Sequence, residues 1–309
     1  MDQKTHDVAI IGGGAAGLSA ALVLGRARRR VAVIDSGSPR NAPAAHMQGY
    51  LSRDGMPPSE LLAIGRSEVE HYGVEVVVGE VAAVAPGFDL RLANGDTISA
   101  RRLLVATGVR DDVPEVPGVR DRWGRDLLHC PYCHGWEVRD QPLGVLAGTP
   151  GSVQHALLLR QWSGDVVFFQ HTYELGQDER RQLEARGVRV EEGQVARLVV
   201  EEDRLTGVAL DDDRVVPRAA VFVRPVITPH EDGLLQRLGC EFHDTGFVRV
   251  DSTGLTSTPG VWAAGNVADP RAQVITAAGA GSAAAIAINA DLVDEDVALA
   301  LRHGTAVTA

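Results

Sequence analysis

The feature that most constrains this chain is the run Gly12-Gly13-Gly14-Ala15-Ala16-Gly17, set between an apolar stretch and a small-residue one. Residues 7–12 (Asp-Val-Ala-Ile-Ile-Gly) read as a buried parallel strand. A helix of small residues follows to about Arg28, and residues 31–35 (Val-Ala-Val-Ile-Asp) read as a second strand. Together they form a βαβ unit. Gly12 permits the tight turn, Gly14 lets the backbone approach a pyrophosphate, and Gly17 lets helix and strand pack closely. A dinucleotide's pyrophosphate can then sit at the helix N-terminus, where unpaired N–H groups and the helix dipole favour an anion. Asp35 closes the second strand about 20 residues on, placed to accept ribose hydroxyls. A carboxylate there suits FAD or NAD and disfavours a 2′-phosphate.

The theme recurs in mid-chain. Residues 142–148 read as a strand, Ser152–Trp162 as an amphipathic helix and residues 165–169 as the next strand. Between the two units lie a strand at 75–78, a β-rich stretch at 80–105 with a hairpin signal at Asn94-Gly95, and a strand at 102–108 ending in a glycine turn. Past residue 246 the chain runs through Gly260–Val267 into a small-residue helix, 276–290, that has no strand set of its own. It is expected to return to the first unit. The expected fold is α/β, with two Rossmann-like dinucleotide-binding domains.

Only three cysteines occur, and Cys130-Pro131-Tyr132-Cys133 holds two of them. A four-ligand zinc site needs a second ligand pair, and the remaining thiol, Cys240, is alone. Two thiols at CxxC spacing can instead close a disulfide and exchange it, with the thiolate as the reacting form. His134 follows at once and can carry protons during the exchange. Cys240, after a predicted helix, reads as a packed structural residue. His230 reads as a loop histidine near a domain crossing.

The formal net charge is −11 and no basic stripe stands out, which speaks against nucleic-acid binding. The dense run Arg26-Ala27-Arg28-Arg29-Arg30 is expected to be a solvated helix C-terminus. The polar start and the lack of any apolar run near the ~20 residues of a membrane span predict a cytoplasmic protein away from membranes.

Taken together, GGGAAG at 12–17, ATG at 106–108, CPYC at 130–133, and AGNVADP with QVIT across 264–276 resemble the low-molecular-weight thioredoxin reductases over nearly the whole chain. The resemblance implies an FAD domain split in sequence (1–112 and 243–309) by an NAD(P)-type domain carrying the CxxC (113–242), and a homodimer. By the same resemblance, Gly12, Gly14, Ala15, Gly17 and Asp35 hold the FAD pyrophosphate and adenosine ribose. Val81 meets the adenine through its backbone, and Thr107 and Gly108 pack near the cofactor. Gly265 and Asn266 face the pyrophosphate and ribityl chain, while Gln273 and Val274 approach the isoalloxazine. The family usually has Asp where this chain has Asn266.

Two departures matter more. The family's NADPH site uses a clean glycine fingerprint and an arginine pair. Here the turn reads Ala147-Gly148-Thr149-Pro150-Gly151, Pro150 lacks an N–H, and the arginine positions hold His171 and Thr172. Arg160 or Arg180 would have to supply the charge. Second, the residue after the CxxC is His134 rather than the family's Asp. The resulting CPYCHG is similar to dithiol oxidases that close disulfides in gliotoxin- and holomycin-type metabolites.

The expected function is therefore a dithiol oxidase. A substrate thiolate attacks Cys130, the second thiol releases the oxidised product, Cys133 returns the electrons to FAD, and O2 takes them as H2O2. One alternative is a reductase in which NADPH, or a donor such as ferredoxin, drives electrons through FAD and the cysteines to thioredoxin or a small disulfide. Another is a flavin redox sensor without turnover.

Overall fold

The protein is described from a computed structural model, which covers residues 6–230 and 233–307, with side chains through Arg302. Along the chain run β1 (His6–Ile11), α1 (Ala15–Arg26), β2 (Val31–Asp35), α2 (Pro58–His71), β3 (Glu75–Val78), β4 (Val81–Ala85), β5 (Asp89–Leu92), β6 (Thr97–Val105) and β7 (Val109–Asp112). Then come α3 (Val119–Arg122), β8 (Leu127–Leu128), α4 (Pro131–His134), β9 (Leu143–Leu146), α5 (Ser152–Leu159), β10 (Val166–Phe169), α6 (Gln177–Ala185) and β11 (Arg189–Glu191). They are followed by β12 (Val195–Glu201), β13 (Arg204–Leu210), β14 (Val215–Pro217), β15 (Ala220–Val223), β16 (Val226–Pro229), α7 (Leu234–Arg237), β17 (Val261–Ala263) and α8 (Val274–Val307).

These elements form two compact units, each with its own core. In the first, the central sheet runs β3-β2-β1-β6-β5-β4, with β17 on the free side of β6. Strands β3, β2, β1, β6 and β17 are parallel, while β4 and β5 pair antiparallel beside the first half of β6. Fully buried Val8, Ile10, Val33 and Leu104 explain the near-continuous apolar reading of these strands, since helices and loops cover both faces. The hairpin expected at Asn94-Gly95 joins β5 to β6, with Gly95 at φ 95° and Asn94 Oδ1 accepting the Asp96 N–H at 3.0 Å.

The second unit holds an all-parallel sheet, β11-β10-β9-β15-β8, and an antiparallel β12-β13-β14 sheet. Helix α5 stops at Leu159, three residues short of the span expected from sequence.

The domain limits differ from expectation. The chain crosses between units at 110/111 and at 227/228, not at 242/243, and residues 41–58 group with the second unit. The reason is burial. Leu234 and Leu235 of α7, with Cys240, pack in the core of the first unit against residues of β1, β2 and β6. Cys240 is a packed residue, its Sγ 3.5 Å from Thr256 Oγ1. His230 lies exposed just past β16.

Two further expectations are corrected. Arg29 and Arg30 are not simply solvated: Arg29 binds Asn289 and Asp296, at 2.7 and 2.8 Å, and Arg30 pairs with Asp7. The closing helix is also far longer than 276–290. Its Val274–Arg302 stretch is long and apolar enough to cross a membrane by length and composition alone. In this fold one face of α8 is core: Ala284, Ala285, Ile288 and Leu292 are fully buried in the cluster that contains Leu24 and Ala20 of α1. Its second half is tied to β6, where Arg101 binds Glu295 and Asp296, and Arg102 binds Asp291 and Glu295.

Candidate active site

In the first unit, the residues singled out for FAD converge at the C-terminal ends of the parallel strands. Helix α1 begins at Ala15 with no side-chain cap and no acidic residue in its first turn, so its leading N–H groups are left for a ligand. Nothing lies within 4 Å of where a Cβ on Gly14 would stand, which leaves room for a pyrophosphate against the backbone. The Asp35 carboxylate lies against Gly13 and is held by Arg66 Nη2 at 2.8 Å. Gly79 donates to the Asp35 carbonyl at 2.9 Å, bringing the turn that leads to Val81 beside it. Thr107 and Gly108 follow directly on the Ala106 N–H bond to the Ile11 carbonyl (2.7 Å), next to Gly12.

The distant 265–274 segment arrives through α8. Gly281 touches α1 so closely that any Cβ there would collide with the Ala16 carbonyl, and Gly17 is packed equally hard against the Gly12 carbonyl. Gly265, in a short 3-10 turn, comes against Ala16. Asn266 departs from its expected role in part. Its Nδ2 donates to the carbonyls of Asp269 (3.0 Å) and Ala272 (2.9 Å), so the amide folds the loop and only Oδ1 is left to face a cofactor. Gln273 accepts the Ala277 N–H at 2.8 Å, and Val274 opens α8. The uncapped N–H groups, the open Gly14 and the carboxylate at Asp35 fit FAD. Arg66 and Gly281 join this region from positions outside the sequence motifs. The Ala-Gly-Ala-Gly stretch at 278–281 was the available signal for a close helix contact.

The second unit holds the CxxC cysteines. Buried β8 ends at Leu128, and Cys130 then caps the four-residue α4, with Pro131 in its first position, where a missing N–H costs nothing. Cys130 and Cys133 are disulfide-bonded with a Cα–Cα distance of 5.2 Å. The N–H groups of Cys133 and His134 both donate to the Cys130 carbonyl at 3.1 Å. Tyr132 meets Trp162 edge to face, with centroids 5.6 Å apart. Burial pushes the His134 imidazole below its ordinary value of 6.5, against a smaller upward pull from Glu137. His134 is therefore a neutral proton acceptor at pH 7. It lines a cavity of about 160 Å³ with His46, Gln48, Leu128, Glu137 and Val138. Arg125 also borders the cavity, but its guanidinium is bound to Asp203. Nothing near His46 in sequence marks it as a neighbour of His134 on this cavity.

The turn between β9 and α5 opens the second strand–turn–helix unit. Past β10, Thr172 lies beside Gly148 of that turn, while His171 has φ 50° and its Nδ1 accepts the Val195 N–H at 3.1 Å. Arg160 reaches the Arg186 and Ser163 carbonyls beyond the C-terminus of α5, and Arg180 pairs with Glu192, so neither serves the turn. Arg224 does lie against Gly151. Thr149 Oγ1 and Gln170 Oε1 are buried without a hydrogen-bond partner.

The family model described as pyridine nucleotide-disulphide oxidoreductase matches residues 6–282. Thioredoxin reductase sirT of Leptosphaeria maculans is 32% identical over 314 residues, 94% of this chain and 96% of its own length. Thioredoxin reductase tcpT of Claviceps purpurea is 35% identical over 279 residues, 84% and 86% of the two chains. Among solved structures, HlmI superposes with a TM-score of 0.95 at 60% identity, covering 98% of each chain. A putative thioredoxin reductase TrxB from Bacillus anthracis gives 0.89 at 34% identity, covering 94% of this chain and 99% of that one.

Proposed function

Because the chain belongs to the pyridine nucleotide-disulphide oxidoreductase family, in its thioredoxin-reductase-like branch, we propose that it is an FAD-dependent dithiol oxidase. The observation that carries this reading is the Cys130–Cys133 disulfide followed by a neutral His134 at a cavity, in a unit that has His171 and Thr172 after β10 in place of an arginine pair. His134 takes a proton from a substrate thiol, and the thiolate attacks Cys130, releasing Cys133 as thiolate. The second substrate thiol then attacks the mixed disulfide, and the product leaves as a disulfide. The substrate has lost two electrons and the cysteine pair has gained them. Bound FAD supplies the two-electron acceptor that re-forms the cysteine disulfide, with O2 as the final acceptor and H2O2 as its product.

Arg224 at Gly151 and the two orphaned oxygens favour a second reading, in which a nicotinamide nucleotide binds this turn and electrons run toward thioredoxin or a small disulfide. Anaerobic titration of the yellow protein separates the two. A dithiol is expected to bleach the flavin absorbance, air to restore it, and neither NADPH nor NADH to bleach it at stoichiometric amounts. Rapid bleaching by NADPH rejects the oxidase in favour of the reductase.

The acid limb of the reaction is a further expected result. His134 accepts protons only while neutral, and its lowered value keeps it neutral to below pH 6.5. The kcat/KM for dithiol oxidation is expected to hold down to that pH and to fall as the pH drops through the lowered value. His134→Gln is expected to cost about 100-fold near neutrality. An unchanged rate in that variant removes His134 from the reaction.

A further inference from the structure

We propose that His46 is the second proton-accepting group of this site, facing the same cavity as His134 and taking the proton of the substrate's other thiol; the assignment rests on the dithiol reading above. Oxidising a dithiol releases two protons along with its two electrons. Ordinary thiols have a pKa of about 8.5 and are mostly protonated at neutral pH, so each must be deprotonated before its sulfur can attack. One imidazole accepts one proton and must shed it before it can accept another. Two imidazoles on one cavity can take both.

The fold places His46 there by design of the 41–58 segment. Pro43 lies against Gly124, which has no side chain to block the contact: a Cβ at 124 would stand 2.7–2.9 Å from Pro43. Met47 is buried to 5% exposure, its N–H donates to the Met56 carbonyl at 2.9 Å, and its carbonyl accepts the Gly55 N–H at 2.9 Å. His46 is thus held between two anchors, with its own side chain exposed and bordering the cavity. The other charged or titratable groups bordering it are Arg125, engaged by Asp203, Glu137, and His134 itself. Gln48 adds a neutral hydrogen-bonding group on the same segment.

The atoms balance. One imidazole takes the first S–H proton, and a bond forms from that sulfur to Cys130 as the Cys130–Cys133 bond breaks. The other imidazole takes the second S–H proton, and the substrate's disulfide forms as the bond to Cys130 breaks. The two protons then pass to the cysteine thiolates or to water.

The test is anaerobic stopped-flow reduction with dithiothreitol as the probe, following flavin absorbance from about pH 6.5 to 9.5, a range that spans the ordinary thiol value. Wild type, His46→Gln and His46→Ala are compared at equal FAD content. Both variants are expected to bleach at least about tenfold more slowly at the acid end, the scale of a lost general base. Both are expected to converge on the wild type at the alkaline end, where the thiols ionise unaided. A deficit of equal size at every pH indicates a displaced segment and overturns the assignment, as do unchanged rates. If dithiothreitol fails to bleach the wild type, the dithiol reading falls first, before any variant is compared.

Discussion

Cys133→Ser is expected to lose dithiol turnover by at least about a thousandfold, the scale of removing a covalent participant, while binding FAD in full. The separation of the two effects follows from the architecture. Cys133 lies in the unit formed by residues 41–58 and 111–227, whereas the uncapped α1, Asp35 and the 265–274 loop all lie in the other. A serine hydroxyl cannot close a disulfide with Cys130, so the pair can no longer shuttle between two redox states. Oxygen uptake with a dithiol substrate gives the turnover, and the visible spectrum gives the flavin content. Turnover within tenfold of wild type would show that electrons reach the flavin by another route.

Gly281→Val is expected to do the opposite, damaging the cofactor site from a distance. Helix α8 crosses α1 at a point where a Cβ has no room beside the Ala16 carbonyl. A valine must push the helices apart, at a cost of about 3 kcal/mol in overpacking and lost contacts. The core shared by Ala20, Leu24, Ala284, Ala285 and Ile288 opens with it. Gly265 rests against Ala16, and Gln273 leads directly into α8, so the loop that completes the cofactor cradle moves as well. Both a lower Tm and a reduced FAD-to-protein ratio are expected. Wild-type values of both would mean that the two helices tolerate a wider crossing.

Asp35, the cysteine pair and both strand–turn–helix units were legible, because a strand or helix of this kind announces itself within about ten residues by its apolar period and its bounding glycines. The domain limit at 227/228 was not, because the residues that decide it, Leu234, Leu235 and Cys240, look like any apolar cluster until their neighbours are known. For Asn266 the sequence shows a polar side chain after a strand, but not that the carbonyls of Asp269 and Ala272 claim its amide nitrogen.

By itself the sequence determined the α/β class, the glycine-led helix start and a disulfide-forming CxxC followed by histidine, since each is written in neighbouring residues. Only the tertiary structure decided that Arg66 grips Asp35, that His171 is spent on Val195, that the last helix packs on the first, and that His46 borders the His134 cavity. Those contacts join residues 24 to 265 positions apart. Chain entropy is paid to bring them together only because burial elsewhere in the fold repays it, and no local pattern records which distant surfaces will meet.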